Sequence, residues 1–267
     1  MVRPFPAPIL LLAALAGCAA FAPEPEPPVA RTDEVVLPDG GVGRDVGGPG
    51  IFEGFAEARA ERSAALTFIE VVERVEPVAE AQCRDQSPTA NCDFRIVVDD
   101  RPGQPPNAFQ TLDREGRPII AFTLALIADV RNADELAFVL AHEAAHHVAG
   151  HLERQRQNAV VGAAVFGQLA GAVGGASAEA IRQAQELGAV VGARSYSQDF
   201  ELEADALGTI IAHRSGYDPL LGSQFFFRIP DPGNRFLGTH PPNAARVAVV
   251  NETAAALGLS ARVASAE

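Results

Sequence analysis

The chain has 267 residues, 48% of them hydrophobic, which is material for one substantial core. Charged residues make up 21%, an ordinary proportion that excludes wholesale disorder. A formal net charge of -13, with no basic stripe to offset it, repels a phosphate backbone and excludes nucleic acid as a partner.

Residues 1–17 read as a targeting segment outside the fold. Arg3 gives a positive start, and Ile9 to Ala16 form a short apolar run. Leu15-Ala16-Gly17-Cys18 then matches a bacterial lipobox, in which small residues precede a cysteine that is lipidated and becomes the mature N-terminus. An ordinary secretory signal with a chance cysteine is the bland alternative. A spanning helix needs roughly 20 apolar residues, and this run is too short. The expected location is the bacterial cell envelope, lipid-anchored through Cys18 on the periplasmic face. Ala19 after that cysteine, in place of the aspartate associated with inner-membrane retention, leans toward the outer membrane.

Residues 18–50 are rich in Pro, Glu, Gly and Asp and read as a lipidated, extended linker. The domain is expected over 51–267. Phe52, Phe55, Leu66, Ile69, Val72 and Val75 recur near the helical period and predict a helix ending at Pro77. Cys83 and Cys92 remain as a pair once Cys18 is set aside. In an exported protein they predict a disulfide, because a structural zinc pair would need two more soft ligands, which the sequence lacks. Phe94 to Val98 reads as a strand. After a Pro/Gly loop, Ala108 to Leu112, a turn at Asp113-Arg114-Glu115-Gly116, and Arg117 to Phe122 predict a hairpin in a small antiparallel sheet. Everything beyond reads as helical. Gln157 to Ala178 carries no charge, with Gly167, Gly171 and Gly175 at four-residue spacing. That spacing can pack membrane helices, but the scarcity of bulky side chains favours a buried or interface-lying helix pair.

The chemistry lies on a helix expected to start near Asn132, with Glu135 three residues on as in a capping box. His142-Glu143-Ala144-Ala145-His146 puts two imidazoles four residues apart on one face, where both reach one ion. Glu143 projects beside them, placed to take a proton from metal-activated water. A solvated His/Glu face is the bland alternative, and the flanking alanines argue against it. A third histidine in the metzincin register is absent, since Ala149 and Leu152 occupy those positions. His147 and His151 lie at the wrong angles to join the same ion. Downstream, Phe200 to Gly208 opens another helix on which Glu201 and Asp205 share a face while Glu203 points elsewhere. Glu201 is the candidate third ligand, and Asp205 a carboxylate that orients a ligating histidine. An acidic helix start suited to the dipole is the alternative.

These residues resemble the gluzincin-type zinc metallopeptidases that include the HtpX heat-shock protease, the CAAX prenyl endopeptidase and periplasmic quality-control proteases, over roughly Phe94 to Val250. Asn107-Ala108-Phe109 and the hairpin are similar to the family's active-site edge strand. Glu135-Leu136-Ala137 leading into the HExxH, with His151 at the tail, is similar to its catalytic helix. Glu201-Leu202-Glu203-Ala204-Asp205 matches its third-ligand motif, and Thr239-His240-Pro241-Pro242 with Arg246 its late loop. The resemblance implies an α+β, mainly helical zincin-like domain, Zn2+ held by His142, His146 and Glu201, and Glu143 as general base. It also implies that His240 lies near the metal, as a regulatory or transition-state group, and that Arg246 reaches the active site. His147 and His213 are read as structural. The sequence lacks the family's transmembrane helices, and no helical-repeat tail is expected after Glu267, so the stand-alone lipoprotein subset is the nearest fit.

The implied substrates are unfolded or misassembled envelope polypeptides, bound extended against Ala108 to Leu112. The envelope assembly machinery is a further candidate partner. A latent zinc-containing chaperone or assembly factor, with His240 in the open metal position, is the alternative function. A purely structural lipoprotein is the second.

Overall fold

A computed structural model describes residues 34–36, 42–44, 49–172, 175–231 and 240–259. The targeting segment and Cys18 lie outside them. The structure separates a unit ending at Glu53 from one spanning Gly54–Glu267. In the first unit, β1 (Glu34–Val36) pairs antiparallel with β2 (Val42–Arg44), inside the stretch expected to be a plain linker. Val35 and Val36 favour strand, and Pro38-Asp39-Gly40-Gly41 is a run of turn formers, which is a hairpin signal.

α1 (Pro49–Gln86) continues through Pro77 rather than stopping there. A proline inside a helix removes a hydrogen bond and costs about 3 kcal/mol. The offset comes from packing, because Val71, Val75, Ala79 and Cys83 form one stripe that is wholly buried. A disulfide joins Cys83 to Cys92, with their Cα atoms 5.7 Å apart, and ties the end of α1 to the chain entering the sheet.

β3 (Arg95–Asp99), β4 (Ala108–Leu112) and β5 (Pro118–Thr123) form a three-stranded sheet in the order β3-β5-β4. The expected hairpin is present as the antiparallel β4–β5 pair, whereas β3 adds to β5 in parallel, so the sheet is mixed. β5 is buried on almost every residue, and burial of that apolar strand puts it in the centre. β4 is left as an edge.

α2 (Leu124–Asp129) leads to α3 (Ala133–Val148), the central helix. Asn132 caps it, accepting from the Glu135 N–H at 2.9 Å. The Glu135 carboxylate reaches back one residue further than a capping box requires, to the N–H of Arg131 at 2.9 Å, and is also bound by Arg228. Leu136 to Ala141, Ala144, Ala145 and Val148 are all buried. α6 (Ser197–Arg214), α7 (Pro219–Gly222), a 3-10 turn (Ser223–Phe227) and α8 (Asn243–Ala256) complete the shell around α3.

In the chain, α3 is joined to α6 by a helix pair, α4 (His151–Ala172) and α5 (Ala178–Arg194). Its backbones nearly touch: a Cβ on Gly162 would lie 2.0 Å from the Gly188 carbonyl oxygen. The expected glycine-mediated pairing exists, but at Gly162, Gly188 and Gly192 more than at Gly171 or Gly175, and the pair is not buried. Val160, Val161, Val165 and Leu169 are exposed. Among the described residues, no helix is long and apolar enough to cross a membrane.

Candidate metal centre

Two helices supply the centre, and one glycine sets their spacing. A Cβ on Gly208 of α6 would sit 3.0 Å from the backbone of His142, tighter than an ordinary packing contact, so glycine gives α6 its close approach to α3. Asp205 and Glu201, about one and two turns earlier on α6, thereby reach the histidines.

His142 Nε2 and His146 Nε2 lie 3.1 Å apart. Glu201 Oε2 is 3.6 Å from the first and Glu201 Oε1 3.4 Å from the second. A tetrahedral zinc with ligands at about 2.0–2.1 Å separates its ligand atoms by about 3.3–3.4 Å. The two imidazole nitrogens and the Glu201 carboxylate, which turns one oxygen to each of them, thus stand close to the spacing one such ion imposes. His142 Nδ1 meets Asp205 Oδ1 at 2.9 Å. A carboxylate only accepts, so this contact puts a proton on Nδ1 and leaves Nε2 free to ligate. Asp205 is fully buried and held by Arg246, whose Nε and Nη2 donate to its two oxygens at 2.8 and 2.7 Å. Arg246 is itself buried, with its guanidinium 3.9 Å from the centre of the Phe226 ring.

The electrostatics follow from this crowding. Burial and Arg246 push the His142 imidazole down, but Asp205 and Glu201 outweigh them and hold it up at about 9. The cation there is a proton wherever a metal is not. Burial, with His142 beside it, pushes His146 down to about 3, so it stays neutral. Glu201 and Asp205 are buried, which opposes ionisation, yet the surrounding histidines and, at Asp205, Arg246 hold both below the ordinary carboxylate range. Glu143 behaves differently. Burial and the Glu201 charge raise it to about 7 against His142, Arg246 and a backbone N–H from Gln110 on β4. That contact places Glu143 beneath the edge strand.

A cleft of about 660 Å³ opens over these groups, bordered by Ala108, Phe109 and Gln110 of β4 and by Phe138, Phe225 and Ile229. His240 stands at its rim, 55% exposed, with Nδ1 3.1 Å from Glu201 Oε2. The structure therefore brings together His142, Glu143, His146, Glu201, Asp205, His240 and Arg246. Arg246 reaches the site as expected: it lines the cleft with Nη2 3.6 Å from Glu201 Oε2, and the same guanidinium, bound to Asp205 through two nitrogens, also braces the carboxylate behind His142. His147 stays outside, contacting the Asn91 carbonyl at 2.7 Å and the edge of Phe94.

Sequence reasoning passed over two residues that touch the site. His151 does not reach the ion position, but its Nδ1 lies 2.9 Å from His146 Nδ1. Glu203 does point away from the ligands, yet it ends on His151 Nε2 at 3.2 Å. The available signal was Gly150: its φ of 66° breaks the helix after α3 and swings the first residue of α4 back toward His146.

No curated protein gives a significant match to the chain. The family comparison does: residues 66–254 match the model of peptidase family M48, a span that holds both halves of the metal centre. With most of its length matched and a triad able to hold a metal ion at the junction of α3 and α6, the chain belongs to peptidase family M48.

Proposed function

We propose that this metallopeptidase is a zinc-dependent endopeptidase that cleaves unfolded or misassembled polypeptides in the bacterial envelope, a protein quality-control role. The observation that carries the reading is the near-tetrahedral spacing of the His142, His146 and Glu201 donor groups on the floor of a cleft, with Glu143 beside them under the edge of β4 that has no strand partner among the described residues. Zinc held there supplies a Lewis acid that brings a water's pKa toward neutrality and polarises the scissile carbonyl. Glu143 accepts the proton of the attacking water and returns it to the leaving amine. Asp205 fixes the tautomer of His142, and Arg246 fixes Asp205. Stabilisation of the developing oxyanion falls to His240, the partly exposed donor at the rim.

Substrate joins β4 as an added strand. The outer edge of β4 has no strand partner among the described residues, and backbone pairing gives affinity with little demand on sequence. That suits unfolded chains. The Cys83–Cys92 disulfide supports an oxidising compartment, and with the lipobox at Cys18 it supports an envelope lipoprotein on the periplasmic face, in the outer membrane.

The test is cleavage of unfolded casein by the protein starting at Ala19, beside Glu143→Gln and with a zinc chelator. Turnover abolished by both the substitution and the chelator is the expected result. A folded, zinc-loaded wild type that leaves casein intact would sink the protease reading. It would favour a latent chaperone or assembly factor held by His240, whose contact with Glu201 places it against a ligand.

A further inference from the structure

Behind His146 a line of contacts runs outward to the surface. His146 Nδ1 meets His151 Nδ1 at 2.9 Å, His151 Nε2 meets Glu203 Oε2 at 3.2 Å, and Arg154 Nη1 donates to the same oxygen at 2.7 Å. His151 is buried, whereas the Glu203 and Arg154 side chains are 47% and 44% exposed, so the line ends in solvent. Both inner and outer members pack on Phe200: the His151 ring stacks at 4.7 Å and 11°, and the Arg154 guanidinium lies 4.3 Å from the ring centre.

The protons on this line have one arrangement compatible with a metal. Two Nδ1 atoms in contact require that one donates and the other accepts. If His151 donated, His146 Nδ1 would carry the lone pair and its proton would sit on Nε2, closing the ligand position. A neutral His151 of that form would also turn a lone pair on the Glu203 carboxylate. A doubly protonated His151 would satisfy Glu203 but would still force the proton of His146 onto Nε2. The remaining arrangement has His146 Nδ1–H donating to His151 and His151 Nε2–H donating to Glu203, with Arg154 fixing the carboxylate. It satisfies every contact and leaves His146 Nε2 bare.

We propose that His151, Glu203 and Arg154 form a positioning relay that locks His146 in its Nδ1–H tautomer and aims its Nε2 at the metal, the counterpart on α4 of the Asp205–Arg246 brace behind His142. The relay rests on the zinc reading of the site. It makes Glu203, a carboxylate outside the ligand set, a determinant of metal affinity.

The experiment uses the full chain. Long-range proton–nitrogen NMR of the 15N-labelled, zinc-loaded wild type reads the tautomers directly. His146 is expected protonated at Nδ1 and His151 at Nε2. Zinc affinity by chelator competition is then compared for wild type, His151→Phe, which keeps the stack on Phe200, and Glu203→Gln. Loss of an outer hydrogen-bond partner weakens metal binding by about 10- to 100-fold, with His151→Phe expected to lose more than Glu203→Gln. The visible spectrum of the cobalt-substituted His151→Phe protein is expected to shift, which a packing role alone would not produce. A zinc-loaded wild type with His151 protonated at Nδ1, or a folded His151→Phe with unchanged affinity, overturns the relay and leaves the zinc reading standing. If His151→Phe does not fold, the wild-type tautomers and Glu203→Gln decide. A wild type that takes up no zinc overturns the zinc reading and the relay with it.

Discussion

His142, His146 and Glu201 crowd two imidazole nitrogens and the two oxygens of one carboxylate together at 3.1 to 3.6 Å, and the ionisation of each is bent to suit a cation between them. In the metal-free protein that cation is the proton on His142, held up at about 9 because Asp205 and Glu201 outweigh burial and Arg246. Zinc must displace it. Below about pH 9 uptake therefore releases a proton from His142, and apparent zinc affinity rises with pH until His142 is neutral on its own. Calorimetry in buffers of different ionisation enthalpy is expected to show release of at least one proton at pH 7. The sign for folding is the opposite. A group raised from 6.5 to about 9 contributes to the stability of the metal-free protein below 6.5, and loses that contribution as pH climbs through 9. Glu143 and Glu201 separate by role. Glu143→Gln is expected to keep zinc, read by metal analysis, while turnover falls by about 10²- to 10⁴-fold. Glu201→Gln is expected to lose zinc as well, and full occupancy in that variant would contradict its place in the ligand set.

Helix α6 presents Glu201 and Asp205 to α3 at a close approach that Gly208 permits. Gly208→Ala puts a methyl 3.0 Å from the His142 backbone, which has no rotamer with which to yield. Overpacking of this kind costs about 1–3 kcal/mol, against the gain of about 1 kcal/mol that alanine brings to a helix interior. The expected outcome is weaker zinc binding in chelator competition together with a lower urea midpoint. Unchanged values for both would show that α6 is not fixed at this contact. α1 follows the same logic from the opposite direction: its buried Val71–Cys83 stripe outweighs the helix-breaking Pro77. Its far end is tied by the Cys83–Cys92 bond across a separation of 9 residues. By loop entropy such a bond is worth about 2–3 kcal/mol, so Cys92→Ser is expected to lower the unfolding free energy by about that amount, measured in urea without reductant. α4 and α5 show where periodicity misleads, since spaced glycines signal close helix contact without saying what covers the outer face.

Across the whole domain the cleft, the edge strand and the metal centre meet at α3. The sequence by itself determined the reactive face of that helix, because residues four apart share a face whatever surrounds them. It also determined the Asn132 cap, the β4–β5 hairpin with its turn, and the Glu201/Asp205 pair, each of which depends on chain neighbours a few positions away. The pairing of Cys83 with Cys92 was legible from composition and expected compartment. Tertiary structure decided the rest. A helix end at Pro77 is a local expectation, and burial of a stripe against distant elements overrides it. The parallel placement of β3 depends on which strand is most apolar across the sheet, not on the turn between neighbours. Arg246 reaches Asp205 because a chain separation of 41 residues is closed by packing. His151 and Glu203 join through space across 52 residues, and no periodicity within either helix encodes that contact. Local pattern fixes which way a side chain leaves its own helix, and only packing fixes what it meets.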